Sequence, residues 1–398
     1  MKKPLIKRII MLKHPVFAMA FRPLYLLAAL YGAVSILMWS FGWYSTLQLP
    51  AYFWHAHEMI WGYAGAIVVA FLLTAVATWT GQPPVRGARL AGLVGLWLIA
   101  RIATLFPQGA AVSGIAGTAF FWLAAALMAA PVIKSRNGNN YIAVVALAAF
   151  GLSHAVFHLY LTQPLFDGSA LFNGLLAGLF MVSGFIGLIG TRIISFFTSR
   201  RLNTAQVANP KWTAFAALLL PLTAALSTML QLFPALAALC AVAAGLLGLV
   251  QTVRWFEKGV LLEPLLWVLF AGYLFASLGL AVLGVSQWMK SYILTNMGVH
   301  LIAVGGIGLL TLGMMVRTAL GHTGRPLYPV PKPMSAAFVL MLAAALCRAA
   351  SAALVAVNTT AYLHSMRLSA VLFAAALVLY IYRYLPWLTQ PRIDGKAG

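Results

Sequence analysis

Apolar runs of about 20 residues recur along the whole chain, broken only by short linkers, and each is long enough to cross a bilayer as a helix. That repetition constrains the fold more than any motif does. The runs are continuous rather than alternating, which excludes a transmembrane β-barrel. Hydrophobic residues make up 63% of the 398 and charged residues 8%, far from the balance of a soluble domain. The fold class is therefore all-α, a polytopic membrane protein with a single integral membrane domain over residues 1–398.

Twelve spans are expected, near 22–44, 54–79, 88–106, 113–133, 141–162, 170–195, 211–231, 234–253, 264–288, 291–318, 335–356 and 366–388. Turn and charge signals mark the linkers, among them Gln82-Pro83-Pro84, Asn137-Gly138-Asn139-Asn140 and Gly324-Arg325-Pro326. The net charge of +21 would suit a nucleic-acid partner, but its distribution points to the lipid bilayer instead. With the N-terminus placed in the cytoplasm, every Lys and Arg except Arg101, Lys290, Arg348 and Arg367 falls on the cytoplasmic side, as the positive-inside rule expects. Both termini are then cytoplasmic. The basic N-terminal cluster (Lys2, Lys3, Lys7, Arg8 and Lys13) reads as an orientation signal rather than a cleaved peptide. Cys240 and Cys347 lie in apolar runs and imply no disulfide.

This orientation puts His55, His57, His154, His158 and His300 in the outer half of the membrane. His300 is about 9 residues into span ten, or roughly 13 Å deep at the α-helical rise. Ionisable groups are costly at such depth and need a partner or a task. They also take part in an internal echo. Gly62 and Gly65 follow His57 at the offsets at which Gly305 and Gly308 follow His300, and Thr80-Gly81 and Thr323-Gly324 match in the same way. Span six, midway between, has only Asn173 with Gly178. Three pseudo-repeats of four helices are one architecture that suits this pattern.

His154 and His158 are four apart and share a helix face, as do His55 and Glu58 at three apart. His57 is turned by about 200° from His55, toward another neighbour. Imidazole is the common nitrogen ligand of iron, copper and zinc, although a lone membrane histidine can equally bond a neighbouring helix. The glycines below each histidine either clear space for a flat macrocycle or let helices approach closely. Arg101 and Arg348, in a chain with five acids, suit carboxylates such as haem propionates or snorkel to headgroups. No Walker loop, dinucleotide fingerprint or cysteine cluster is present.

Several stretches resemble the NnrS family of haem- and copper-containing membrane proteins. They are Phe21-Arg22-Pro23, Trp54-His55-Ala56-His57-Glu58-Met59, Phe71 to Val76 leading to Trp79-Thr80-Gly81, Arg192-Ile193-Ile194 with Phe196-Phe197-Thr198, and Arg317 to Arg325. The resemblance covers nearly the whole chain. It implies bound haem and copper and a bacterial role in nitric oxide handling, denitrification or protection from nitrosative stress. On this reading His57 and His300 are opposed ligands of one haem b, because the echo sets them on equivalent helices. His55 with His154 and His158 form a second metal site, Arg101 and Arg348 serve as cofactor-binding residues, and Glu58 is the catalytic proton carrier or holds a histidine tautomer. A quinol or cytochrome would supply electrons to a small diatomic ligand such as nitric oxide, and no nucleic acid is involved. Two other classes remain open: a transporter with an outer-side histidine metal or proton site, and a structural subunit without cofactor.

Overall fold

A computed structural model describes residues 14–43, 49–163 and 167–396. The N-terminal basic cluster from Lys2 to Lys13 lies outside them, as does the end of the first expected span at residue 44. Among the described residues there is no strand, and twelve long helices follow one another. They are α1 (Phe21–Ser40), α2 (Ala51–Thr80), α3 (Gly87–Ala103), α4 (Ala110–Lys134), α5 (Tyr141–Thr162) and α6 (Gly168–Leu202). After these come α7 (Lys211–Met229), α8 (Pro234–Trp255), α9 (Pro264–Met289), α10 (Tyr292–His322), α11 (Lys332–Leu354) and α12 (Thr359–Leu388). All but α3 are at least 18 residues long and contain an apolar 18-residue stretch, so eleven meet the length and hydropathy of a membrane span. α3 has 17 residues, about 25 Å at the helical rise.

Proline and glycine set many of the helix ends. Pro234 and Pro264 open α8 and α9 at the first turn, where a missing N–H costs nothing. Gly81 and Gly324 take positive φ of 65° and 77° just beyond α2 and α10, the left-handed step that glycine makes without penalty. Asp167 caps α6 by accepting from the Ser169 and Ala170 amides. It is thus the N-cap of this helix. α6 runs seven residues beyond its expected inner end, to Leu202, and α12 begins seven residues early, which brings His364 into its exposed first turns.

α2 and α6 are the most buried spans, with 78% of their apolar windows inside the bundle, against 39% for α7. α2 packs against α1, α4, α6 and α10. Small residues bring other pairs together: a Cβ on Gly284 of α9 would lie 2.6 Å from the Ala238 carbonyl of α8, so these backbones meet only because glycine is there. Arg22, at the start of α1, donates to the Leu388 and Gln390 carbonyls at the end of α12, at 3.1 and 2.7 Å. At the far end, Arg367 of α12 reaches the Ser40 carbonyl of α1. First and last spans are therefore antiparallel neighbours, and both described ends of the chain lie at one face. Arg192, which holds Asn139 and Asn140, and Arg317, packed over Phe197 at 3.6 Å, lie at that same face.

The internal echo extends to the backbone. α2 changes to π-helix over Glu58–Ala64, directly after His57, and α10 does so over Leu301–Gly308, directly after His300. Such widened turns concentrate at functional sites. Thr80 and Thr323 also bond the carbonyl four residues back at 2.6 Å, and both precede a left-handed glycine. α6 is α-helical throughout and does not share this construction.

Candidate metal centre

The walls of the centre come from α2, α4 and α5. On α5, the four-residue spacing puts His154 and His158 on one face, one above the other. α4 presents Gly114 and Gly117 to them. A Cβ at Gly114 would lie 2.9 Å from the His158 ring, so both imidazoles fit because those positions carry no side chain. α2 contributes His57, with Trp61 one turn below it. Trp61 and Phe157 close over the His57 ring at 5.3 and 5.2 Å, and the Trp61 indole is held by Ser153 at 3.3 Å.

Three imidazoles converge. His57 Nε2 lies 3.2 Å from His154 Nε2 and 3.1 Å from His158 Nε2, and all three side chains are buried. The other nitrogens of His57 and His154 are engaged. His57 Nδ1 is 2.7 Å from Glu58 Oε1, and His154 Nδ1 is 3.0 Å from Thr118 Oγ1. A carboxylate only accepts, so His57 carries its proton on Nδ1 and turns a bare Nε2 toward the other two rings. One lone pair cannot serve two in-line hydrogen bonds, whereas one cation serves three lone pairs. Imidazole nitrogens about 2.0–2.1 Å from a metal stand roughly 3.3–3.5 Å apart in trigonal or tetrahedral geometry. The two separations from His57 Nε2 are within a few tenths of an ångström of that range. Among the described residues this is the one cluster of three or more metal-ligating side chains.

Glu58 is held from three sides. Besides His57, its Oε2 accepts from Arg101 Nη1 and from the Tyr31 hydroxyl, both at 2.5 Å. A fully buried carboxylate is tolerable only with such partners. Gly62 makes the arrangement fit: a Cβ there would lie 2.8 Å from the Arg101 guanidinium and 3.0 Å from the Glu58 carboxylate. The Gly62 carbonyl, within the widened π turn, accepts from the Trp97 indole at 3.0 Å. Gly62→Ala should therefore push Arg101 off Glu58 and lower stability by about 1–3 kcal/mol, the range for overpacking. Thermal unfolding in detergent measures it, and an unchanged midpoint would contradict the close fit.

The structure exchanges the two histidines of the Trp54–Met59 motif relative to the sequence reading. His57, expected opposite His300, joins His154 and His158; His55, expected with that pair, faces the α10 side. The reason is rotational: the two rings point about 200° apart, and the side of α2 that carries His57 faces α4 and α5. Glu58 likewise bonds its neighbour His57, not His55. Arg101, expected to meet a cofactor carboxylate, is committed to Glu58. Nor do the glycines clear space for a macrocycle. Gly65 is filled by Phe121, Gly305 by Phe275 and Gly308 by Met341, so they close helix packing.

His55 and His300 line a second cavity, with about 830 Å³ of space between atoms, together with Tyr52, Met59, Tyr63 and Arg348. Trp39 lies flat on the His55 ring at 4.0 Å, and His55 Nδ1 has no protein partner. His300 Nδ1 is 2.7 Å from the Asn296 carbonyl. It must be the donor, which leaves Nε2 bare. Arg348 holds the same Asn296 through its side-chain oxygen at 3.2 Å and also donates to Ser351. Sequence reasoning did not single out Tyr31, Thr118 or Asn296. A polar residue one turn from a histidine (Asn296 before His300) and a hydroxyl beside the Gly114–Gly117 pair were the available signals.

The whole bundle, including the loops at both faces, matches one family profile, that of NnrS protein, over residues 15–392. The chain belongs to the NnrS family. No curated protein matches it significantly. As an NnrS protein it carries the motif Trp54–Met59 at the junction of the two histidine sites, with His57 turned to one and His55 to the other.

Proposed function

We propose that this NnrS-family chain is a haem- and copper-binding protein of the bacterial inner membrane that handles nitric oxide. The convergence of the His57, His154 and His158 Nε2 atoms carries the reading. A set of neutral imidazoles suits copper, and zinc as the commoner competitor. Haem b is assigned to the cavity between α2 and α10, where the His55 and His300 imidazoles would hold it. Its walls are largely apolar, and Arg348 is the cation for a propionate.

When bound, these groups supply a redox-active metal that coordinates nitric oxide. The chain's own residues do the rest. Glu58 fixes the His57 tautomer and sets its ring direction, Arg101 and Tyr31 fix Glu58, and Asn296 does for His300 what Glu58 does for His57. Trp61, Phe121 and Phe157 surround the triad with apolar rings, which keeps water from competing for the metal. Glu58 is also the nearest proton carrier to the centre. Electrons would come from a quinol or a cytochrome, and both termini face the cytoplasm.

The test is a pyridine haemochrome spectrum and metal analysis of protein purified in detergent after expression with haem and copper. Haem and copper in the preparation are expected. His55→Ala and His300→Ala should each abolish the haem signal and leave the copper content unchanged. A protein free of both groups would refute the reading.

A further inference from the structure

The triad is sealed against most of the bundle. His57 and His154 have no exposed surface, and the remaining 6% of His158 faces a groove between α4 and α5. The groove holds about 940 Å³ of space and opens on the outside of the bundle. Its floor is His158, with Gly114 and Thr118 beside the ring; Ala110, Ala111, Ala119 and Ala155 leave it wide. Its rims are Ile115, Trp122 and Leu159, which are 74%, 49% and 49% exposed. Large apolar side chains turned outward from two membrane helices face acyl chains, not water. From Ala110 to Trp122 the groove covers about 18 Å of helix rise, so it lies within the hydrocarbon layer beside the outer half of α4.

We infer that the triad receives its ligand sideways from the bilayer, through the α4–α5 groove, and that this ligand is a small uncharged molecule dissolved among the lipid chains. The inference rests on the copper and nitric oxide reading and adds the route. A charged substrate would pay the desolvation cost of entering an apolar cleft; a neutral diatomic does not. His158, the ligand at the groove floor, is the contact such a molecule meets first. Gly114 has two consequences there: it admits the His158 ring, and it leaves the ring edge uncovered.

Ala111 is exposed and Ala155 half-buried on the groove walls, so Ala111→Trp and Ala155→Phe narrow it without entering the packed interior. In copper-loaded, reduced protein, flash photolysis of the carbon monoxide adduct measures return of the ligand to the triad. Each variant is expected to slow association from the bulk by about tenfold, as a barrier change would, with copper content and equilibrium affinity unchanged. Unaltered association in both variants overturns the route. Lack of copper in the unmodified protein is a separate failure, of the metal reading. The groove is then decided without metal by a structure under xenon pressure. Xenon beside His158, displaced in Ala111→Trp, supports the route; an ordered acyl chain in its place overturns it.

Discussion

Replacing His154 with alanine should remove copper from the purified protein, and His57→Ala and His158→Ala should do the same. Each contributes one of three converging nitrogens, and no fourth His, Cys, Asp or Glu ligand completes the group among the described residues. Two imidazoles do not close a tetrahedral or trigonal site, and the loss of even a supporting residue costs about 10–100-fold in metal affinity. The loss of a ligand should exceed that. Thr118→Val provides the graded comparison, because it removes only the hydroxyl beside His154 Nδ1; its copper affinity should fall within that 10–100-fold range. Competition with a chelator of known affinity measures all four variants. Copper retained in full by His154→Ala would dismiss the triad as the binding site. The opposite cavity is the internal control: His300→Ala should leave triad copper intact.

Arg101→Ala should be among the most damaging single substitutions in the chain. It leaves the Glu58 carboxylate buried with its countercharge gone, and breaking a buried pair on one side typically costs about 3–5 kcal/mol. Glu58 would then be forced to take up a proton or move, and His57 would lose the acceptor that sets its tautomer. The expected result is a lower unfolding temperature together with weaker copper binding. The double variant Arg101→Met with Glu58→Gln removes both charges and should regain much of the stability, as matched apolar replacements do. It should not regain normal copper affinity, because an amide orients His57 less strongly than a carboxylate. Equal stability of the single variant and the unmodified protein in thermal unfolding would show that Glu58 is neutral in the folded state.

The number of helices, their linkers and their class were legible because hydrophobic length is a local property. A run of apolar residues that ends in Gln82-Pro83-Pro84 or Arg325-Pro326 stops at those positions in any fold. The echo between the second and tenth spans was equally legible, since equal offsets need no structure to be counted. The glycines were less so. Gly62 and Gly305 hold equivalent places in the echo, yet one admits an ion pair and the other an aromatic ring. A missing side chain does not say what fills its place. Arg101 was misread for a related reason: its partner is 43 residues away, and only the packing of α2 on α3 shows that the one acid in span two belongs to it.

The sequence by itself determined a twelve-helix membrane bundle, the set of outer-half histidines, and the angle between His55 and His57. That angle is relative. It states that the two rings leave α2 in opposed directions and is silent on which direction either one takes. The rotation of α2 about its own axis is settled by its neighbours, through Gly114 and Gly117 of α4 making room for His154 and His158 and through the π turns that follow His57 and His300. Tertiary packing therefore decided which histidine belongs to which site, because partners on separate helices have no fixed spacing along the chain.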